Sequence, residues 1–436
     1  MSGTPTPAEV VEESATPAGR WRWPFALRAL SSRNYRLFFA GNGVSLTGNW
    51  VTTATNAYLV YHLTGQNLLL GLSAFVAQVP TFVLGPLAGV LVDRWNLRRT
   101  LLVTQSLALL QSSLLATLCW TGLLQGWELV GAILTLQLIQ GVINSVDIPA
   151  RQSFAVHLVD RRDDLPNAIA LNSMMVNLTR FIGPAAAGMI LAAGGDVLTG
   201  AAWCYTLDAL TYVAVLVALA AMRLRPRGPR PAPRGVWHEL LEGLRYVRGH
   251  RTLRTALLLM CASSFFGVSF NSQLASLATA VLGVGPKGYG YLVAAVGLGA
   301  MASAGYLAMR RSSQGIAAVI SLASVAFGLA LLAVSWTHHY GTALVLMAVA
   351  GSAMVLQAAG TNTLLQTTAD DDKRGRVMSL FTMSFMGTVP LGALALGWSA
   401  QQVGVNWAVR VGGACVLAAA VWAWPKLRSG ETPGEG

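Results

Sequence analysis

The chain has 436 residues, of which 54% are hydrophobic and only 11% are charged, and its mean hydropathy is +0.54. Soluble domains carry about 25% charged residues, so this composition excludes an ordinary soluble globular protein. The formal net charge of +12 predicts attraction to the anionic head groups of a lipid bilayer, and we do not expect nucleic acid as a partner.

Apolar runs long enough to cross a bilayer recur along nearly the whole chain. A bilayer offers no partners to backbone polar groups, and the alternating pattern of a membrane barrel is absent, so these runs predict helices. We therefore expect an all-α membrane protein with twelve transmembrane helices. The predicted spans are residues 36–62, 68–92, 100–122, 127–149, 168–193, 198–222, 253–281, 288–309, 315–336, 341–368, 378–401 and 405–425.

The positions of the basic residues, which did not enter the choice of spans, support this topology. Of the 30 Lys and Arg residues, all but Arg180, Lys287 and Arg410 lie in or beside segments that are cytoplasmic when the N-terminus is cytoplasmic. Such a bias is the positive-inside rule. It predicts a multi-pass protein of a bacterial cytoplasmic (inner) membrane with both termini in the cytoplasm.

The longest hydrophilic interruption follows the sixth span and divides the chain into two six-helix bundles. It begins as an Arg- and Pro-rich linker and continues, from Trp237, as an amphipathic helix. The four cysteines lie in apolar spans without paired spacing, so we expect neither disulfides nor a metal site. The predicted segments are a disordered and interfacial cytoplasmic N-terminus (1–35), a first bundle (36–222), a linker (223–252), a second bundle (253–425) and a cytoplasmic tail (426–436).

The two halves look like one unit used twice. Span five carries Gly183-Pro184 and Gly188, and span eleven carries Pro390 at a similar depth. We expect Gly183-Pro184 to interrupt span five, because proline lacks a backbone donor and lets a helix bend. Broken helices at corresponding places in two halves indicate a transporter that binds its substrate between the repeats. The alternative is that Gly and Pro are simply frequent in transmembrane helices.

The loop after span two reads GPLAGVLVDRWNLRRTLL. This loop resembles the G-x-L-x-D-R-x-x-x-R-R motif of the major facilitator superfamily. The matching residues include Gly89, Asp93, Arg94, Arg98 and Arg99. The stretches VDIPARQSF, NLTRFIGPAAAG and NTLLQTTADDDKRGRVMSLF are similar to the transmembrane secretion effector branch of this superfamily, which includes the enterobactin exporter and macrolide-efflux proteins. The resemblance extends from Leu27 to about Gly404. It implies a pseudo-symmetric fold of six plus six helices and a secondary transporter that leans towards export.

The same loop predicts a cytoplasmic gate. Asp93 lies at the C-terminal end of a helix, where the helix dipole disfavours an anion, so we expect it to find a partner on span eleven near Arg376. Gly89 would let that helix approach closely, and Arg94 and Arg98 would make companion contacts. The alternative is a set of ordinary solvated charges beside the membrane.

Arg180 lies about 18 Å deep in span five, at 1.5 Å per residue. An arginine at such a depth costs about 2.5–3.5 kcal/mol on insertion scales, which is tolerable when it faces a wet cavity or an anion. Asp208 on span six and Asp147 on span four are the candidate partners. An acid beside an arginine suits a proton relay, because protonating the acid frees the arginine for substrate. A static ion pair is the alternative.

Amide and aromatic side chains on spans one, four, seven and ten form the predicted substrate cavity, since the resemblance implies that these spans line it. Such a lining suits a large, mostly uncharged or amphipathic substrate, whereas polar contact between helices is the alternative for each amide. Where Asn49 stands, many relatives carry an acid, which moves the expected proton site to Asp147 and Asp208. The predicted cavity residues are Asn42, Asn49, Trp50, Asn56, Gln137, Gln140, Asn144, Phe270, Asn271, Gln357, Asn362 and Gln366.

Enzyme motifs are absent from the sequence. No G-K-[ST] phosphate loop, metalloenzyme histidine spacing or nucleophile elbow occurs, so we expect no enzymatic activity, no cofactor and a proton gradient as the energy source. The sequence therefore predicts a monomeric exporter of a lipophilic or siderophore-like small molecule, by alternating access and proton antiport. Two alternatives remain: an importer of a similar compound, and a membrane sensor or scaffold that transports nothing.

Overall fold

The structure is a computed structural model that describes residues 25–92, 94–156, 158–159, 162–222, 236–310 and 314–428. The predicted tail up to residue 24, most of the Arg- and Pro-rich linker and the last eight residues lie outside the described residues. The helices are α1 (Arg33–Thr64), α2 (Asn67–Val92), α3 (Leu97–Thr121), α4 (Gly126–Val156), α5 (Leu165–Ala193), α6 (Val197–Ala221), α7 (Val236–Gly249), α8 (Arg251–Ala262), α9 (Leu274–Ser276), α10 (Pro286–Met309), α11 (Ile316–Val334), α12 (Tyr340–Thr368), α13 (Arg374–Thr382), α14 (Thr388–Val403) and α15 (Val405–Arg428).

The all-α membrane fold is confirmed. Eleven helical segments in the described part of the chain are long and apolar enough to cross a membrane. The first span, α1, has 32 residues but falls short on apolarity, because polar side chains such as Asn42, Ser45, Asn49 and Asn56 interrupt it. The predicted twelve spans thus correspond to α1–α6 and, in the second half, to α8 through α15.

Two spans contain breaks, but the first break is not in span five, where we predicted it. α5 is continuous through Gly183-Pro184, so the expected interruption of span five is wrong. Span seven is broken instead: α8 passes into a π turn at Ser263–Gly267 and a 3-10 segment at Val268–Gln273. Span eleven also contains a π turn, Met383–Gly387, three residues before Pro390. Local π turns are frequent at functional sites.

Side chains at the helix ends fix where the loops begin. Asp196 caps α6: it accepts hydrogen bonds from the Thr199 hydroxyl at 2.6 Å and from the Thr199 backbone N–H at 2.9 Å. Both bonds favour the charged carboxylate, and the hydroxyl bond in particular holds the pKa of Asp196 below its ordinary value. Asn96 caps α3 in the same way.

The two halves meet along two helix pairs, α5 with α10 and α2 with α14. Small residues allow the backbones to approach closely. A Cβ atom at Gly188 would lie 2.8 Å from the Cα of Gly290, and one at Gly71 would lie 2.4 Å from the carbonyl oxygen of Ala393. Gly71, Gly188 and Gly290 lie near the ends of α2, α5 and α10 that are opposite to the Arg- and Lys-rich loops.

We call the side with the loops 94–96 and 158–164 and with α7 the charged end, and the other side the opposite end. At the opposite end the halves are closed, and the Gln401 amide oxygen accepts a hydrogen bond from the Asn67 backbone N–H at 2.8 Å. Towards the charged end the halves separate: a Cβ atom at Gly85, Gly89 or Gly305 would meet nothing within 4 Å. The space between the halves therefore opens towards the charged end.

Adding one methyl group at the closed contact tests this arrangement. Gly71→Ala places a Cβ against a backbone carbonyl, which costs about 1–3 kcal/mol and lowers the closed population roughly 5- to 150-fold. Gly85→Ala, on the same helix but in open space, is the matched control. We expect the yield of a short bifunctional thiol cross-link between Asn67→Cys and Gln401→Cys to fall for Gly71→Ala alone. Equal yields in both variants would contradict the proposed closure.

Candidate functional site

A polar cleft lies inside the first half, at mid-membrane depth. Its cavity volume is about 90 Å³, which is below the range of about 300–1,000 Å³ seen for small-molecule sites. Helices α1, α2, α3, α4 and α6 line it. The lining residues are Asn49, Thr52, Thr53, Asn56, Ala77, Gln111, Gln137, Gln140, Asn144, Asp208 and Tyr212.

Asp208 is the acid of this cleft, and it is 1% exposed. One carboxylate oxygen, Oδ2, accepts hydrogen bonds from the Thr52 hydroxyl at 2.8 Å and the Ser112 hydroxyl at 2.7 Å. The other, Oδ1, is buried without a hydrogen-bond partner. A Cβ atom at Gly48 would lie 2.5 Å from Oδ1, so this glycine makes room for the carboxyl group against α1. Within the described residues, Asp208 forms no ion pair.

The cleft amides serve both of the roles that the sequence left open. The Tyr205 hydroxyl donates to Asn56 Oδ1 at 2.7 Å, and the Ser73 hydroxyl donates to Gln137 Oε1 at 2.8 Å. These bonds join neighbouring helices. Gln140 donates to Asn144 at 3.1 Å, one turn further along α4. The same side chains therefore hold the helices together and give the cleft its polar wall.

Asp147 lies towards the charged end of the same half and is held by a network of its own. α4 continues to Val156, beyond the predicted end of span four, so Arg151 lies one helical turn after Asp147 and forms an ion pair with it at 2.5 Å. Thr104 and Gln105 donate to the other carboxylate oxygen, each at 2.7 Å. Arg151 also donates to Asn42, which places Asn42 outside the main cleft.

Arg180 pairs with neither predicted acid. Its guanidinium lies over the Trp50 ring, 5.2 Å from the centroid, and within the described residues no carboxylate lies within 4 Å of it. The expected Arg180–Asp208 pair is wrong because the two residues contact different faces of α1. Trp50 faces Arg180 and Thr52 faces Asp208, and two residues along a helix differ by about 200° in direction. Asp147 is occupied by Arg151.

The predicted cavity residues of the second half do not line the cleft. Phe270 is buried and packs edge-on against Phe327, and Gln357 donates to the Ser263 hydroxyl at 2.7 Å. The remaining three amides make local bonds: Asn271 donates to the carbonyl oxygen of Val268, and Gln366 donates to Asn362. Among the described residues, the cleft belongs to the first half alone.

The gate motif is only partly described, because Asp93 lies outside the described residues. Arg98 donates to the carbonyl oxygen of Ala220 at 2.8 Å, so its expected contact with span eleven is not made in this structure. Arg94 is exposed, and the backbone N–H of Arg99 donates to the α3 cap. Near span eleven, Arg376 pairs with Glu242 of α7 at 2.7 Å.

The same Glu242 carboxylate accepts from Lys373 at 2.7 Å. This hydrogen bond raises the pKa of Lys373 above its ordinary value, and Asp372 adds to the effect. The start of span eleven is thus bound to the linker helix within the second half.

Several cleft residues were missed by sequence reasoning. Thr52 lies three residues after the predicted cavity residue Asn49, so its helical spacing could have identified it. Gln111 and Ser112 are polar residues in the middle of span three and carried a weaker signal. The ion pair of Arg151 was hidden by ending span four too early. Tyr212 gave no signal, because tyrosine is ordinary in an apolar helix.

Two six-helix halves, a linker helix between them and a polar cleft at mid-membrane define a membrane transporter of the major facilitator type. The chain belongs to one family within this class: the profile of the transmembrane secretion effector family matches residues 25–432.

Curated relatives extend over most of the chain. A staphyloferrin A transporter of Staphylococcus aureus is 24% identical over 374 residues, which are 85% of this chain and 90% of that protein. The multidrug efflux pump Tap of Mycolicibacterium fortuitum is 25% identical over 82% of this chain and 87% of its own. The enterobactin exporter EntS of Shigella boydii is 26% identical over 83% and 84%.

Solved structures of transporters share the fold. The nucleoside transporter NupG superposes with a TM-score of 0.70 at 12% identity, covering 91% of this chain and 99% of that chain. A bacterial homologue of the iron transporter ferroportin, in an inward-facing state, gives a TM-score of 0.69 at 16% identity with the same coverage.

Removing one charge of the Asp147–Arg151 pair leaves the other buried and unpaired, which costs about 3–5 kcal/mol. We therefore expect Asp147→Asn and Arg151→Gln each to lower the melting temperature of the purified protein, and the double variant to recover most of the loss. Glu128→Gln, at an exposed position of the same helix, is the control. Strictly additive losses in the double variant would show that the pair is not coupled.

Proposed function

We propose that this protein exports a lipophilic or siderophore-like small molecule across the bacterial cytoplasmic membrane in exchange for protons. The relatives support export, since two of them are named as an enterobactin exporter and a multidrug efflux pump. The polar cleft offers hydroxyl and amide side chains to a polar group of such a substrate. The predicted topology, with both termini in the cytoplasm, makes the charged end the cytoplasmic side.

The buried carboxyl group of Asp208 carries this proposal. It lies in the cleft wall with two hydroxyl partners and, among the described residues, without a cation. An unpaired charge in the interior is costly, and a proton removes that charge without moving the backbone. A group that gains and loses a proton inside a substrate cleft is the element that antiport requires.

Alternating access supplies the rest of the mechanism. In the state described here, the halves are closed at the opposite end through Gly71 and Gly188 and are apart at the charged end. Substrate would enter from the cytoplasm, the halves would rock, and the substrate would leave as a proton reaches Asp208. Return of the proton to the cytoplasmic side would reset the cleft. Substrate and proton would thus occupy one cleft in turn.

An importer remains the second candidate, because one relative is named only as a staphyloferrin A transporter. The direction is decided by which side of a proteoliposome must be acidic. For export in exchange for protons, substrate should move towards the acidic side. Movement towards the alkaline side would favour import with protons.

The Asp208→Asn variant tests proton coupling. It keeps the shape and the hydroxyl contacts of the side chain but removes the titratable group, so we expect gradient-driven flux to fall at least about tenfold, a loss of transition-state stabilisation near 1.4 kcal/mol. Exchange of labelled for unlabelled substrate, which needs no net proton movement, should persist. Asp196→Asn, on the exposed cap of the same helix, is the matched control. The flux would be measured in proteoliposomes with an imposed pH gradient.

Three outcomes decide this test. Loss of gradient-driven flux with retained exchange supports Asp208 as the proton site. Unchanged gradient-driven flux in a well-folded Asp208→Asn protein rejects it. If the wild-type protein moves none of a panel of macrolides and siderophores under either gradient, the transport proposal itself fails and a sensor or scaffold becomes the better interpretation.

A further inference from the structure

Arg180 and Trp50 lie where the middles of three helices meet. Arg180 is near the centre of α5 and Trp50 near the centre of α1. A Cβ atom at Gly183 would lie 2.4 Å from the Cβ of Trp50, so this glycine lets α5 approach Trp50. From the second half, Gly297 at the centre of α10 packs on the backbone of Arg180: a Cβ atom there would lie 2.8 Å from the Arg180 carbonyl oxygen. The pair therefore sits at the seam between the two halves.

Along α5, Arg180 lies where buried side chains give way to exposed ones. Side chains three or four residues apart share a helix face. On the face of Arg180, Ala187 and Leu191 are buried towards the opposite end, whereas Ser173 and Ile169 are exposed towards the charged end. Arg180 is intermediate between them. Arg180 thus lies at the transition between the buried and the exposed parts of this face of α5.

No charge in the described part of the chain compensates this guanidinium. Asp208 is turned to hydroxyl groups and Asp147 is paired with Arg151. The Nε atom of Arg180 is buried without a hydrogen-bond partner, and its contact with the Trp50 ring is the interaction that holds it. Burying a guanidinium whose N–H donor has no partner costs free energy. The site is therefore suited to bind an anionic group of a ligand.

We infer that Arg180, stacked on Trp50, is a binding subsite for an anionic aromatic group of the substrate, such as a ring-borne carboxylate or phenolate. This inference rests on the proposed transport function and names the substrate class. A guanidinium offers two parallel N–H donors to a carboxylate, and its face away from Trp50 can stack on an aromatic ring. Because Gly297 of the second half packs against Arg180, an anion bound to Arg180 would lie at the contact between the two halves. This contact has to change during alternating access.

The test compares salicylate with its uncharged isostere salicylamide on the purified full-length protein, by isothermal titration calorimetry. A hydrogen bond between charged groups is stronger than one between neutral groups, so the wild type should bind salicylate at least about tenfold tighter than salicylamide. Arg180→Gln should abolish this preference, and Arg180→Lys should keep part of it. Arg410→Gln is the matched control, because Arg410 also stacks on a tryptophan, Trp407 at 4.3 Å, but its partners Trp407 and Ser335 both belong to the second half.

Several results would overturn the inference: no measurable salicylate binding at millimolar concentration, equal affinity for both probes in the wild type, or a preference that survives Arg180→Gln or is lost equally in Arg410→Gln. Should Arg180→Gln fail to fold, Arg180→Lys and Trp50→Leu carry the comparison, since each keeps one member of the pair.

A transport measurement separates this inference from the proposed proton coupling. Arg180→Gln should lose proton-driven flux of salicylate while still moving a neutral lipophilic dye, whereas Asp208→Asn should lose both. Loss of both substrates in Arg180→Gln, with unchanged salicylate binding, would make Arg180 part of the rocking seam and overturn its role as a substrate subsite.

Discussion

The close approach of small residues at one end of the molecule is the constraint on which the rest of the structure depends. Gly71 against Ala393 and Gly188 against Gly290 bring backbones of the two halves within contact distance. Without a hydrophobic driving force between helices in lipid, such backbone packing is what holds transmembrane helices together. Towards the charged end, a Cβ atom at Gly85, Gly89 or Gly305 would meet nothing within 4 Å, so the backbones of the two halves are no longer in contact at these positions.

Charge inside the membrane is then distributed in three separate ways. Asp147 is neutralised locally by Arg151, Asp208 is solvated by hydroxyl groups, and Arg180 rests on an indole ring. The first is a stable structural pair. The other two are incomplete, because each leaves a buried polar atom without a partner. Burying such groups costs free energy unless a proton or an anion neutralises their charge. For this reason we propose that Asp208 binds a proton and that Arg180 binds an anion.

Sequence reasoning succeeded where the signal is local. Hydropathy located the spans, and two of the predicted cavity residues of span one, Asn49 and Asn56, line the cleft. It failed where the outcome depends on how helices are rotated against one another. Arg180 and Asp208 are on neighbouring spans at similar depth, yet α1 lies between them and presents a different face to each. The break in span seven contains no proline that could have predicted it; within the break, Gly267 packs against the Phe327 ring.

The linker helix offers one last consequence. Its Glu242 carboxylate is shared between Lys373 and Arg376, and all three side chains are partly open to solvent. Ion pairs of this kind weaken as the Debye length shortens, from about 8 Å at physiological ionic strength to about 3 Å in molar salt. The ionic part of the attachment of α7 to the start of span eleven therefore weakens as the salt concentration rises. The packing of Val247 in the core and the hydrogen bond from the Asp370 backbone N–H to the Tyr246 hydroxyl do not depend on this carboxylate.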